Sequence, residues 1–197
     1  LRSLVEYNGT WHSNECHGSG KGTFDDGSVF EGTWVANYPH GKGKLTGKPM
    51  SFPADGTKLM FEGDFSEGQP NGTGSGTFNL PFHRNPRNPA VSHFTGSWHN
   101  GLPSGAGGKW RYHNGDAYSG SVLAGMREGD GTLTDSTGNK YTGKFSRDFK
   151  SGRGRIDYRP TQNHYEGEWS EDLYHGQGIF HEYHSSNSYT GEWQQGK

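Results

Sequence analysis

Apolar and polar positions alternate in a short motif that returns eight times along the chain. In each copy an aromatic residue, a glycine and an apolar residue occupy alternate positions, as in Tyr7-Gly9-Trp11. Alternate residues of a β-strand share one face, so both aromatic side chains lie on the same side with the glycine between them. The intervening positions are polar, as Asn8 and Thr10 are in the first copy. This pattern predicts strands of an antiparallel sheet with one face in water.

The copies follow one another at a regular interval. Five of the seven steps between them measure 23 or 24 residues, and the other two measure 31 and 33. The motifs are Tyr7-Gly9-Trp11, Phe30-Gly32-Trp34, Phe61-Gly63-Phe65, Phe94-Gly96-Trp98, Tyr118-Gly120-Val122, Tyr141-Gly143-Phe145, Tyr165-Gly167-Trp169 and Tyr189-Gly191-Trp193. A fixed period indicates a repeat protein. We predict a single array over residues 1–197, with units starting at about 7, 30, 61, 94, 118, 141, 165 and 189, the last unit truncated, and insertions at 46–60 and 79–93.

A second glycine-rich strand completes each unit. In the first unit Gly20-Lys21-Gly22 precedes Phe24, and turn-forming Asn, Asp, Gly and His residues lie between the two strands. Each unit is therefore predicted to be a β-hairpin. The fourth unit has one residue more, in Gly105-Ala106-Gly107-Gly108, which predicts a bulge. Pairing of neighbouring hairpins gives an all-β fold, an elongated, twisted, solenoid-like meander of 15 antiparallel strands in one layer.

These residues resemble the MORN repeat (membrane occupation and recognition nexus), whose unit has Tyr-x-Gly-x-Trp followed by Gly and by Gly-x-Gly. The resemblance covers residues 7–197 almost without a gap. Asn14, Asn37 and Asp148 depart from it by replacing the glycine that usually follows the tryptophan by three positions, and Val122 replaces an aromatic residue. The resemblance implies a curved sheet that scaffolds other proteins or self-associates, often in cytoskeletal, ciliary or cell-cortex structures.

The aromatic face of such a sheet has no second layer within the chain to cover it. The rings cover this face themselves if they lie flat over the glycines, whereas an uncovered face would form a shallow apolar groove for a partner. Both interpretations can hold together. The candidate partner-binding residues on this face are Trp11, Trp34, Phe65, Trp98, Trp110, Phe145, Trp169 and Trp193.

Composition adds few constraints on function. Aromatic residues make up 14% of the chain, enough for an aromatic core, and the net charge of -2 predicts no particular partner. Cys16 is the only cysteine, which favours a reducing compartment, and no apolar run is long enough to span a membrane. The chain starts at Leu1 and stops within a repeat, so we expect it to be part of a longer protein.

Basic residues are concentrated in the sixth unit, which precedes an acidic unit. Two interpretations stay open, because neighbouring units of opposite charge stabilise each other across a sheet and because a basic patch attracts an acidic protein tail or anionic lipid. The candidate residues of an anionic-partner patch are Lys140, Lys144, Arg147, Lys150, Arg153 and Arg155.

Sequence motifs for catalysis or cofactor binding are weak. His12, Cys16 and His17 suggest a metal site, but turn positions account for histidines such as His17 and we predict no metal. Residues 18–23 resemble a phosphate-binding loop but lack the Ser or Thr after the lysine. No residues suggest a catalytic site. We predict a chain that is not an enzyme and binds neither a cofactor nor nucleic acid.

The predicted function is a non-catalytic protein-interaction scaffold of a cytoskeletal, ciliary or flagellar, or cell-cortex assembly. Its predicted partners are extended or helical segments of other proteins and a second copy of the chain. The alternative is a peripheral membrane or phosphoinositide-binding module, with weak contacts to anionic lipid. The expected location is cytoplasmic and associated with the cytoskeleton. The two insertions are interpreted either as tolerated surface loops or as functional loops on a rigid scaffold.

Overall fold

The fold is a single open antiparallel sheet, obtained as a computed structural model that describes residues 3–47, 59–82 and 91–197. The described residues form sixteen strands and no helix, and thus none long and apolar enough to span a membrane. The strands are β1 (Leu4–His12), β2 (Glu15–Phe24), β3 (Val29–Val35), β4 (Tyr38–Gly47), β5 (Leu59–Ser66), β6 (Gln69–Phe82), β7 (Val91–His99), β8 (Leu102–Pro103), β9 (Gly105–Tyr112), β10 (Ala117–Leu123), β11 (Met126–Thr134), β12 (Lys140–Ser146), β13 (Phe149–Asp157), β14 (His164–Ser170), β15 (Leu173–His181) and β16 (Ser188–Trp193).

Strand order follows chain order, as expected for a meander. Each strand pairs with the next in an antiparallel ladder, except that the two-residue β8 pairs only with β7 and β9 takes the next place in the sheet. The prediction of an all-β, single-layer hairpin meander is confirmed. The break at Ser104 between β8 and β9 lies in the fourth unit, where the extra residue predicts an irregularity.

Two-residue turns close the hairpins, and both turn residues have positive φ. Ala36 and Asn37 have φ of 47° and 71°, and Ala124 and Gly125 have 48° and 79°. This is the pattern of a type I′ turn, whose twist matches that of the flanking strands. Asn and Asp tolerate the left-handed region better than other side chains do, which explains why Asn37 and Asp148 can replace the usual glycine.

One glycine from every strand except β8 joins a continuous glycine ladder across the sheet. The ladder consists of Gly9, Gly20, Gly32, Gly43, Gly63, Gly74, Gly96, Gly108, Gly120, Gly131, Gly143, Gly154, Gly167, Gly178 and Gly191. The first aromatic ring of each unit lies against the ladder. A Cβ at Gly154 would clash with the Tyr141 hydroxyl oxygen. The glycines are therefore required for the rings to approach the backbone.

In four of the units a tryptophan links the unit to the preceding one by a hydrogen bond. Trp34 Nε1 donates to the carbonyl oxygen of Gly20 at 3.0 Å, and Trp169 Nε1 donates to that of Gly154 at 3.0 Å. The rings also meet edge to face within a unit, as Phe30 and Trp34 do at 5.3 Å between centroids. The array is thus held together by contacts between neighbouring units, as in a solenoid.

Replacing Gly143 by Ala is expected to lower the free energy of unfolding by about 3 kcal/mol, because the new Cβ overpacks a tight site. That Cβ would be 2.5 Å from the Cα of Gly154 and 2.8 Å from the carbonyl oxygen of Arg153, both backbone atoms. Gly107→Ala is the control. Gly107 has φ +72° and open space around it, so alanine there costs only about 1 kcal/mol of backbone strain. Urea denaturation measures the free energy of unfolding of both variants. Equal losses of stability in the two would contradict the packing role of the ladder.

The two predicted insertions lie largely outside the described residues. Of residues 46–60, the structure describes 46–47 and 59–60 as the ends of β4 and β5. Of residues 79–93, it describes 79–82 and 91–93 as parts of β6 and β7. The sheet therefore extends further into both segments than the sequence pattern predicts.

Candidate functional site

The aromatic face is packed within the chain and is not an open groove. Six of the eight predicted partner-binding side chains have exposures of 4% or less: Trp34, Phe65, Trp98, Trp110, Phe145 and Trp169. The hypothesis that these six rings bind a partner requires correction, because a buried ring cannot contact another chain without rearrangement. The alternative interpretation, that the rings cover their own face by lying over the glycines, agrees with this packing.

Trp11 and Trp193 differ from the other six. Trp11 is 59% exposed and contacts Tyr7 edge to face at 5.2 Å. No described hairpin precedes Trp11, so its ring has no preceding Gly-x-Gly strand to cover. Trp193 is half-buried and donates from Nε1 to the carbonyl oxygen of Gly178 at 3.2 Å. Trp11 is thus the member of the predicted set that stays available to a partner.

The opposite, polar face carries a groove that the sequence analysis did not predict. It has a volume of about 1160 Å³ and crosses β3 to β7 in the second to fourth units. Its lining residues are Glu31, Lys42, Gly43, Lys44, Met60, Glu62, Gly63, Thr73, Gly74, Ser75, Thr77, Thr95, Gly96 and Ser97. Four of these are ladder glycines, which contribute backbone and no side chains. Charged and hydroxyl side chains therefore border a groove that runs across the strands.

One wall of this groove is fixed by an ion pair with further hydrogen bonds. Lys42 Nζ lies 2.6 Å from Asp64 Oδ1, and the backbone nitrogen and hydroxyl of Thr73 both donate to Asp64 Oδ2. Hydrogen bonds from Lys42 and then Thr73 lower the pKa of Asp64 to about 2. Asp64 therefore stays ionised at any physiological pH and orders the groove wall.

A second groove of about 550 Å³ lies on the same face of the sixth to eighth units. Arg153, Arg155 and Glu166 line it with Ile179 and Thr190. Arg155 lies 2.7 Å from Asp157 and 3.3 Å from Glu166. These contacts raise the pKa of Arg155 and lower that of Asp157. The polar face thus has a groove near each end of the array.

The six basic residues predicted as an anionic-partner patch do not share one surface. Lys140, Lys144, Arg153 and Arg155 lie on strands β12 and β13, whereas Arg147 lies in the turn between them. Lys144 Nζ is 3.1 Å from Asp130, and Arg155 is paired with carboxylates on its own strand and the next one. The prediction of a common patch needs correction, and the alternative, charge pairing across neighbouring units, fits the contacts.

Lys150 lies on the aromatic face. Its Nζ is 5.5 Å from the ring centroid of Tyr141 and 5.1 Å from that of Trp169. Burial lowers the pKa of this ammonium group. Since its aliphatic stem and charge cover two core rings, Lys150 contributes to the packing of the array and is separated from the basic residues of the polar face.

A buried ion pair between the fifth and sixth units was missed by the sequence analysis. The Arg127 and Asp148 side chains are 4% and 3% exposed, with Arg127 Nε 3.4 Å from Asp148 Oδ1. The Arg127 backbone nitrogen donates to Asp148 Oδ1 at 2.8 Å, and the Asp148 nitrogen donates to the Arg127 carbonyl at 3.0 Å. The guanidinium also lies 4.9 Å from the centroid of Phe145. The replacement of a turn glycine by Asp148 was the only signal for this pair in the sequence.

Histidines and acidic residues form no group suited to a metal ion within the described ranges. Cys16 is buried on the aromatic side, where its backbone nitrogen donates to Asn37 Oδ1 at 2.8 Å. The rings of His12 and His17 lie 5.7 Å apart on the polar side of the same hairpin. The three residues that suggested a metal site therefore do not converge on one point.

The sheet and its grooves define a β-hairpin repeat protein with an internally packed aromatic face and an accessible polar face. The MORN repeat profile matches the chain at residues 7–29, 30–48, 61–78, 94–117, 118–140, 141–160, 165–181 and 189–197. The chain belongs to the MORN repeat family. MORN repeats are non-enzymatic modules that generally mediate interactions with proteins or membranes. Comparison with curated proteins gave no match.

Proposed function

We propose that the chain is a non-catalytic protein-interaction scaffold and that a segment of a partner protein binds in the polar-face groove of the second to fourth units. One observation carries this proposal. Six of the eight rings first considered for partner binding are buried by internal packing, whereas the groove of about 1160 Å³ is open and lined by charged and hydroxyl side chains over glycine backbone. Concave sites with backbone groups and a few polar side chains are suited to binding.

The rigidity of the groove supports a scaffolding role. Its floor belongs to the glycine ladder, which aromatic rings hold in place from the other face. Its wall is ordered by Lys42, Asp64 and Thr73. A preformed site loses less conformational entropy on binding than a flexible one. The family resemblance extends the proposal to a cytoplasmic scaffold of a cytoskeletal, ciliary or cell-cortex assembly.

A groove-filling substitution tests the proposal. In a quantitative pull-down, the full chain carrying Thr95→Arg is expected to capture at least tenfold less partner than the unaltered chain. The long arginine side chain would occupy the groove. Ser119→Arg is the matched control, since Ser119 occupies the same repeat position in β10 but does not line the groove. Equal capture by both variants would contradict the groove as the binding site.

Binding to anionic vesicles separates the scaffold from the membrane alternative. The scaffold predicts little salt-sensitive binding, because Lys144 and Arg155 already have carboxylate partners within the sheet. The membrane role would be favoured instead if the chain binds phosphatidylserine vesicles strongly and the double variant Lys144→Glu, Arg155→Glu does not.

A further inference from the structure

We propose that an apolar stripe along the turn edge of the polar face binds an amphipathic α-helix of a partner protein, laid across the strands. The stripe consists of five side chains beside the turns of the fourth to seventh units: Leu102, Leu123, Met126, Phe149 and Leu173. The proposal rests on the scaffold function, because it specifies the structure of a bound partner. It uses residues separate from the groove of the second to fourth units.

The position of the stripe follows from strand alternation. Leu102, Met126, Phe149 and Leu173 are the first residues of β8, β11, β13 and β15. The residue after each of them faces the aromatic side: Pro103 and Arg127 are buried there, Lys150 lies over two rings and Tyr174 stacks on Tyr165 at 3.8 Å. Leu123 likewise follows the buried Val122 in β10. Because neighbouring residues of a strand point to opposite faces, all five stripe residues lie on the polar face.

The stripe is accessible and the repeat does not require it. Leu123 is 58% and Leu173 47% exposed, and the other three side chains are half-buried. In β2 and β6 the same position holds Glu15 and Gln69, so the hairpin also forms with a polar residue there.

Ser146 and Ser170 lie on the strands between the stripe residues, paired with Phe149 and Leu173, so the stripe is a row of apolar side chains repeated from hairpin to hairpin. Accessible apolar side chains grouped along one edge are candidates for an interaction surface.

The spacing of the stripe selects a helical partner. Four of its members, Leu102, Met126, Phe149 and Leu173, recur once per hairpin, which at two strand separations is about 9.6 Å. Leu123 lies opposite Met126 in the same hairpin. An α-helix rises about 10.5 Å in seven residues, so a helix with one apolar residue per heptad places a side chain over each hairpin. Three such steps, from Leu102 to Leu173, span about 30 Å, or roughly 20 helical residues.

Other peptide conformations fit less well. An extended strand returns to the same face about every 6.7 Å, out of step with the hairpins. A polyproline II segment returns about every 9.3 Å, but such segments dock in grooves lined with aromatic rings. The stripe holds one aromatic residue beside three leucines and a methionine, a composition typical of surfaces that bind amphipathic helices.

Charged residues beside the stripe indicate which charge the bound helix should carry. The turn before Leu173 contains Glu171 and Asp172, both exposed, whereas the turn before Phe149 contains the exposed Arg147. The helix is therefore expected to carry Lys or Arg next to its anchor on Leu173. At the turn before Phe149, Glu128 Oε2 accepts from the Arg147 backbone nitrogen at 2.9 Å, so its carboxylate offsets the charge of Arg147.

Selection from a random library of 24-residue peptides displayed on their messenger RNA tests this inference, with the whole chain as bait. We expect the enriched peptides to have apolar residues at a seven-residue period and to become helical on binding. Leu123→Glu with Leu173→Glu should weaken their binding at least tenfold, while Tyr183→Glu, at a side chain that is 61% exposed elsewhere, changes it less than twofold. Circular dichroism should give equal thermal midpoints for all variants.

Protection of Met126 from oxidation provides a readout that needs no variant. Bound peptide should slow its oxidation, while exposed Met60, which lines the groove, is unaffected.

Enriched peptides with a three-residue proline period, peptides that bind the double variant unchanged, or no enrichment would each overturn the inference. So would a dimer of the chain that dissociates in the double variant, since a second copy would then occupy the stripe. Peptides blocked only by Thr95→Arg would overturn it and leave the scaffold function intact.

Discussion

Replacing Trp98 by Ala is expected to lower the free energy of unfolding by about 3 to 5 kcal/mol, because it deletes a fully buried ring from the centre of the array. Trp98 is 2% exposed and lies 4.8 Å from Phe61 and 5.5 Å from Phe94, measured between ring centroids. Its Nε1 donates to the carbonyl oxygen of Gly74 at 3.3 Å, which links the fourth unit to the third. The substitution therefore removes apolar contacts and a hydrogen bond between units together.

Trp11→Ala is the matched control for this experiment. Trp11 has the same position in its unit but is 59% exposed and contacts Tyr7 alone among the described rings. Its loss should cost about 1 kcal/mol or less. Urea denaturation gives both free energies, and amide hydrogen exchange in β6 and β7 shows whether the damage is local, since units of a repeat array can open separately. If Trp98→Ala lowered the free energy of unfolding by less than about 1 kcal/mol and weakened partner binding, the aromatic face would have to be an open groove.

The repeat, its strands and its aromatic side are predictable from sequence because they depend on alternation within one strand. Tyr141, Gly143 and Phe145 share a face in any β-strand, so their spacing is sufficient to place them. The burial of that face is not predictable in this way. It depends on the Tyr141 ring lying across Gly143 and Gly154, and on Phe145 meeting Tyr118 of the preceding unit at 5.2 Å. Both contacts involve pairing between strands.

The same limit explains the sites that sequence reasoning missed. The groove at Lys44 and Thr95 joins residues of separate units whose polarity resembles that of any solvated strand position. The basic residues of the sixth unit were grouped because they are close in sequence, although Lys150 and Arg153 lie on opposite faces of β13. Charge counted along the chain does not distinguish the two faces of a sheet, whereas strand parity combined with the turn positions would.

Asp148→Asn is expected to destabilise the protein by about 3 kcal/mol, at the lower end of the range for breaking a buried ion pair. The change removes the negative charge and leaves the Arg127 guanidinium buried without its counter-charge. It keeps the shape of the side chain and the acceptor for the Arg127 backbone nitrogen. Asparagine also suits the turn, because Asn37 occupies the same position with φ of 71° and accepts from the Cys16 nitrogen. The expected loss therefore comes from charge alone.

Asp172→Asn supplies the matched control, since Asp172 has the same turn position, accepts from the Lys150 backbone nitrogen at 2.8 Å and is exposed. Its substitution should cost clearly less than Asp148→Asn, because the cation that Asp172 faces, Lys150, is half-buried, whereas Arg127 is 3% exposed. Arg127→Leu, alone and combined with Asp148→Asn, completes a double-mutant cycle. Because an apolar residue needs no counter-charge, the double variant should recover most of the stability that Asp148→Asn loses. Additive losses would mean that Arg127 and Asp148 act independently, and that the turn conformation, not the ion pair, determines why Asp148 lies between the fifth and sixth units.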